Sequence, residues 1–287
     1  MWLTHSVTST RTTSRSTCPA SCGDAWVTSQ PLQTAVHRRR SRPPSEAARL
    51  DAPHRRALRM LTLRRRCGNS MVRISVTERS DGDCAPIDGS APGNVTVLRQ
   101  VHGTRVVEVG RPGEHQGACA DAAWTSIPRA TLAVRTADCV PIALYGTDRA
   151  GCAAVAAIHA GWRGLLDGVI SATLAELGRH GIRHPRAIVG PHIGPLQYEF
   201  GVDQLEAASA ALGPSVSSTT HWGTPSLDLG EATRLELRRH GAVIDSEIGR
   251  CTASDERYFS HRARAEQGRT AMLVGLEAEP AGELIDD

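Results

Sequence analysis

Cys152-Ala153-Ala154-Val155-Ala156-Ala157-Ile158-His159-Ala160-Gly161-Trp162-Arg163-Gly164 runs into Leu165-Leu166-Asp167-Gly168-Val169-Ile170 and on to Leu177. Cys152 to Ile158 is a short unbroken apolar run, the pattern of a strand buried on both faces. His159 to Gly164 is a glycine-rich turn. Beyond it Leu165, Leu166, Val169, Ile170, Thr173, Leu174 and Leu177 recur at helical spacing and define one apolar face, with Gly178 and Gly181 closing the helix. A strand, a tight turn and an amphipathic helix in this order mark an α/β fold. The turn sets His159 and Arg163 near a helix N-terminus, where backbone N–H groups favour anions.

Working outward, strands are expected at Val72 to Val76, Asn94 to Leu98, Leu132 to Arg135, Pro141 to Tyr145, Arg186 to Val189, Val243 to Ile248 and Thr270 to Leu276. Helices are expected at Val202 to Leu212 and from about Glu231 to His240. Thr136-Ala137-Asp138-Cys139 is polar and turn-like, which puts Cys139 where a strand ends. Residues 71–287 read as one domain of mixed α/β type. Residues 1–70 read as a disordered basic leader or a mis-assigned start, rich in Ser, Thr and Arg and without hydrophobic period.

Composition narrows the chemistry. All 33 basic residues are arginine, so no P-loop lysine and no Schiff-base lysine exists. Net charge is +3, but residues 1–70 carry thirteen arginines against Asp24, Glu46 and Asp51, a balance of +10 that leaves −7 for residues 71–287. An acidic folded part argues against a nucleic-acid partner. No apolar run is long enough to span a bilayer, and no signal segment opens the chain, so a cytoplasmic location is expected, where thiols stay reduced.

GxSxG, HExxH and paired CxxC signatures are absent. Metal-capable residues stand instead at the ends of candidate strands: His102 in Gln100-Val101-His102-Gly103, Cys139, and His159. One thiolate and two imidazoles make a three-ligand zinc set with a position left open. Their spacing is not diagnostic of convergence. Asp138 is either an acid/base or a turn residue. Arg163 either anchors phosphate or pairs with a carboxylate, and His192, His261, Arg262 and Arg269 either line a pocket or stabilise loops.

Several ordered blocks carry a resemblance. They are Arg99-Gln100-Val101-His102-Gly103, Ala133 to Pro141 around Thr136-Ala137-Asp138-Cys139, His159-Ala160-Gly161-Trp162-Arg163-Gly164, Gly190-Pro191-His192-Ile193-Gly194-Pro195, Tyr198-Glu199, and Phe259-Ser260-His261-Arg262 followed by Gly268-Arg269. The chain from about Asn94 to Leu276 resembles the YfiH-type family, also called laccase-domain proteins, purine nucleoside phosphorylases or peptidoglycan editing factors. The resemblance implies an α/β sandwich with mixed sheets and a catalytic metal, zinc with copper as the alternative, on His102, Cys139 and His159. It also implies phosphorolysis of adenosine, inosine and methylthioadenosine, with deamination of adenosine. The expected partners are purine nucleosides and phosphate, with no membrane and no nucleic acid, and a monomer is favoured. Asp138 joins the three ligands as a candidate catalytic residue, and Arg163, Arg79, Arg262 and Arg269 are the candidates for phosphate.

The chain departs from the family pattern after Thr77-Glu78-Arg79, where Ser80-Asp81-Gly82-Asp83 replaces the usual Gly-Gly-Val-Ser, and in having Leu196-Gln197 where many members carry a cysteine. Two rival chemistries remain open. Cys139 with His159 as base would give a cysteine hydrolase or a cell-wall precursor editing enzyme. A copper-dependent polyphenol oxidase would need several clustered copper sites. A metal-stabilised interaction module is the non-enzymatic alternative.

Overall fold

The strand that decides the fold is β8 (Ala153–Ala160), buried at all eight positions. Alternation sends Ala154, Ala156, Ile158 and Ala160 to one face of the sheet and Ala153, Val155 and Ala157 to the other. The strand runs two residues further than its apolar pattern suggests, so His159 belongs to it and not to the turn. In the computed structural model, which describes residues 60–84 and 93–277, β8 lies inside a six-stranded sheet. It pairs antiparallel with β7 (Val140–Thr147) and with β5 (Ala122–Thr125). Parallel to β5 runs β4 (Val106–Glu108), while β9 (Arg186–Val189) is antiparallel to β7 and β12 (Val243–Glu247) parallel to β9.

A five-stranded sheet packs on the Val155 face. Its order is β1 (Leu61–Cys67), β2 (Ser70–Val76), β13 (Thr270–Leu276), β6 (Thr131–Thr136) and β3 (Val95–Val97), all antiparallel except the last pair. Val72, Ile74, Leu132, Val134, Met272 and Val274 meet Ala143, Tyr145, Val155, Ala157 and Ile188 between the sheets. Side chains buried as completely as Ile74, Leu132 and Ile188 each contribute roughly 1.5–3 kcal/mol.

Helices cover the opposite face of the six-stranded sheet: α1 (Trp162–Asp167), α2 (Val169–Arg179), α3 (Val202–Leu212) and α4 (Leu229–Arg239). Leu165, Ile170, Leu174, Leu177, Leu229 and Leu237 close over Ile142, Leu144, Ala156 and Ile158. The architecture is the mixed-sheet α/β sandwich that the sequence led us to expect. A short ribbon, β10 (Ser217–Thr219) with β11 (Pro225–Leu227), and a single turn, α5 (His261–Arg264), sit in the loops.

Two expectations need correction. The single helix expected from Leu165 to Leu177 is two, because Gly168 adopts φ 94° and its N–H caps the carbonyls of Gly164 and Leu165. The boundary expected at Met71 falls inside a hairpin: β1 pairs with β2 from Leu61↔Val76 to Cys67↔Ser70, and Arg65 donates to Asp245 at 2.7 Å. What the leader reading says of residues 1–59 lies outside the described residues. A chain begun at Met71 loses the β1 ladder and the buried Cys67. It is expected to be less stable than one begun at Met60 by about 2 kcal/mol or more, read from the urea midpoint.

Candidate metal centre

Three chain segments deliver the three expected ligands to one point. Strand β8 alternates His159 away from Ile158 and Ala160, so the imidazole emerges where the strand ends, opposite Pro141 of β7. Cys139 immediately precedes β7 and, like Asp138, follows the end of β6. His102 comes from the loop between β3 and β4. Their ligand atoms all lie within 4.8 Å of one another, His102 Nε2 is 3.7 Å from Cys139 Sγ, and the two imidazoles meet edge to face at 4.8 Å.

The backbone around them is shaped to make room. A Cβ on Gly161 would stand 2.5 Å from His102 Cδ2 and 3.1 Å from Cys139 Sγ. Gly161→Ala must therefore push two ligands apart, and metal affinity is expected to fall by about 10- to 100-fold with the fold intact, measured by chelator competition. Gln100 grips the β6 end by a pair of bonds, Nε2 to the Arg135 carbonyl at 2.7 Å and Oε1 from the Arg135 N–H at 2.8 Å. That places the loop bearing His102 against the strand that leads to Cys139.

Asp121, absent from the sequence reading, lies fully buried behind this cluster just before β5. Its carboxylate accepts the His159 Nδ1–H at 2.8 Å and the backbone N–H groups of Val101, His102 and Gly103 at 3.1, 2.9 and 2.8 Å. No local pattern marks it. Its partners lie 18 to 38 residues away in sequence.

The electrostatics couple thiol and imidazole. Burial opposes ionisation of Cys139, but His159 and His102 outweigh it and hold the thiol down to about 6. Burial likewise disfavours charge on His159, and Cys139 with Asp121 reverses the sign, raising it to about 9. Both shifts favour a thiolate beside an imidazolium before metal binds. A divalent ion needs the thiolate and a neutral ring, so between about pH 6 and 9 loading must expel the His159 proton. Affinity is expected to rise up to about tenfold per pH unit in that window, with about one proton released near pH 7.5, read by calorimetry in buffers of different ionisation heat.

Asp138 is an anchor. Its Oδ1 accepts from Thr252 Oγ1 and Ser260 Oγ, both at 2.7 Å, its Oδ2 from the Arg262 N–H at 2.6 Å, and its carbonyl from the Ile193 N–H. At φ 96° the residue is in a conformation that side chains rarely adopt. These bonds hold it there and draw three loops to Cys139. A carboxylate filled by three donors is built to position and not to shuttle protons, which favours the turn-residue alternative.

The four arginines divide. Arg262 lies 4.7 Å over the Tyr198 ring with Nη1 on the Glu199 carbonyl, and Arg163 lies 4.9 Å over the Trp162 ring. The Tyr198 phenol is pushed up by burial first and the Cys139 charge next, while Arg262 and Arg163 pull it down, so all of these groups share one neighbourhood. Arg79 is placed otherwise than expected: it binds both Glu266 oxygens, at 2.7 and 3.1 Å, and the Glu256 and Tyr258 carbonyls. Arg269 wraps its own loop through the carbonyls of Glu266, Gln267 and Gly268. Arg79 is thus engaged at Nε and both Nη atoms, and Arg269 at Nη1. Arg163 is the second residue of α1, as expected near its N-terminus, but a helix of six residues has little dipole to offer an anion.

His192 is tied to the Gly190 carbonyl at 2.9 Å, and burial holds its ring towards the neutral form. His261 faces the Glu266 carbonyl at 3.4 Å.

Known proteins are similar to this chain in sequence and in fold. Residues 80–277 match the family described as multi-copper polyphenol oxidoreductase laccase. A protein of Xylella fastidiosa named purine nucleoside phosphorylase is 40% identical over 191 residues, covering 62% of this chain and 71% of that one. One of the same name from Mycobacterium tuberculosis is 40% identical over 189 residues, covering 65% and 74%. A solved Neisseria meningitidis protein superposes with a TM-score of 0.63 at 28% identity, over 76% of this chain and 99% of that one. The YfiH protein of Bacillus licheniformis, at 22% identity and a TM-score of 0.62, over 72% and 93%, shows the same fold. With His102, Cys139 and His159 all inside the matched span, this chain belongs to the YfiH-type family of multi-copper polyphenol oxidoreductase laccase proteins.

Proposed function

We propose that this protein is a metal-dependent purine nucleoside enzyme that cleaves adenosine, inosine and methylthioadenosine by phosphorolysis and deaminates adenosine. The observation that carries the reading is the convergence of His102, Cys139 and His159 beside Tyr198, with Arg262 over its ring and the charge of Arg163 acting on the same phenol. The names of the relatives support the phosphorolysis of purine nucleosides. One soft and two borderline donors within 4.8 Å, with Gly161 leaving them room, fit one zinc ion, copper being the alternative. Such an ion would supply Lewis acidity at the reacting centre.

The chain's own groups supply the rest. Arg163 and Arg262 hold inorganic phosphate through charge-assisted bonds. A phosphate oxygen forms the bond to C1′ as the bond from C1′ to the base nitrogen breaks, its electron pair leaving with the purine, which takes up a proton. Tyr198, kept protonated by burial, is a hydroxyl donor at neutral pH. The products are the free base and a sugar 1-phosphate. The reading includes a cytoplasmic monomer that acts on small molecules without nucleic acid. Among the described residues no helix is long and apolar enough to cross a membrane.

One observation favours a second chemistry. The Cys139 thiolate beside the His159 imidazolium is also the pair a cysteine hydrolase uses. Metal analysis of the purified protein, combined with products from adenosine and inosine with and without phosphate, decides between them. A hydrolase would survive chelation, whereas the proposed enzyme would not. For polyphenol oxidation, the one His/Cys/His cluster among the described residues supplies ligands for a single ion.

A further inference from the structure

We propose that Asp121 is the positioning residue of the metal centre, setting both imidazoles at once: His159 through its ring and His102 through its backbone. The inference rests on the metal-site reading above.

A carboxylate can only accept hydrogen bonds, so the 2.8 Å contact requires the proton of the neutral His159 ring on Nδ1 and turns the Nε2 lone pair to the ligand cluster. The same two oxygens gather three successive N–H groups, Val101, His102 and Gly103, into a nest. His102 stands at φ 60°, where a non-glycine residue is strained, and this nest holds it there. Asp121 is 0% exposed and His159 3%, so water cannot take over the bond between them. One side chain thus fixes the aim of one ligand and the strained backbone of another.

Asn is the diagnostic substitution because it keeps the shape and replaces one acceptor oxygen with a donor. If its NH2 faces Gly103 N–H, two donors collide and the His102 loop must move. If it faces His159, that ring must put its proton on Nε2, which occupies the ligand position. Either outcome costs affinity.

The test is zinc affinity by chelator competition for the wild type and Asp121→Asn, in native and His159→Ala backgrounds, together with long-range proton–nitrogen NMR of His159 in the zinc-loaded wild type. Expected are a loss of about 10- to 100-fold for Asp121→Asn, a clearly smaller loss in the His159→Ala background, and a His159 bound through Nε2 with its proton on Nδ1. An unchanged affinity, or equal losses in both backgrounds, would overturn the proposal. Should Asp121→Asn fail to fold, the wild-type NMR still decides, because a His159 bound through Nδ1 contradicts it. These readouts involve no nucleoside, so they stand or fall apart from the purine assignment.

Discussion

Cys139→Ser is expected to reduce zinc from about one ion per chain to a small fraction and to lower phosphorolysis by more than about 100-fold. The thiolate is the one anionic donor in the cluster, and two imidazoles alone hold zinc far more weakly than the full set. The size of the loss follows from how little can replace it. A serine hydroxyl is not ionised at neutral pH, and the loop that carries Cys139 is held in place by the Asp138 bonds and cannot bring another donor forward. His102→Ala should act in the same direction, while circular dichroism and the urea midpoint stay near wild type, since His102 is exposed and lies outside both apolar cores. Full metal content in both variants would remove the site assignment.

The second large effect separates the phosphate from the metal. Arg163→Ala and Arg262→Ala each remove a charge-assisted contact worth roughly 1.5–3 kcal/mol to bound phosphate, so the KM for phosphate should rise by about 10- to 150-fold. Deamination of adenosine needs no phosphate and should change much less in the same variants. Arg79→Ala and Arg269→Ala serve as controls. Their guanidinium groups bind Glu266 and the carbonyls of their own loop, so their loss should appear in stability and leave the phosphate KM alone. Equal losses of both reactions in Arg262→Ala would mean that the residue acts through its bond to the Glu199 carbonyl and not through an anion.

The parts of this site that could be read from the chain are those whose chemistry is local. The unbroken apolar run of β8 and the helical period after it bring His159 to within a residue or two of a strand end, and the turn of Asp138 and Cys139 follows from its own polar residues. Asp121 could not be read this way, because an aspartate before Ala122-Ala123-Trp124 is ordinary until the chain has brought His102 and His159 against it. Arg79 was misplaced for the same reason: its partner Glu266 lies 187 residues away. Strand β1 was lost for a different one. Arg64-Arg65-Arg66 has the composition of a basic tail, yet on an edge strand Arg64 and Arg66 face solvent and Arg65 pairs with Asp245 while the backbone pairs with β2, and Cys67 alone is buried. The break at Gly168 hides inside a continuous helical period, since a left-handed glycine shifts the helix axis without changing which residues are apolar.

The most direct test of the whole account is the product balance from inosine. Zinc-loaded protein is incubated with inosine, with and without inorganic phosphate, and hypoxanthine, ribose 1-phosphate and ribose are quantified in parallel with Cys139→Ser. The account predicts equimolar hypoxanthine and ribose 1-phosphate that require phosphate and vanish in the variant. Free ribose formed without phosphate, or an undiminished yield from Cys139→Ser, would contradict it.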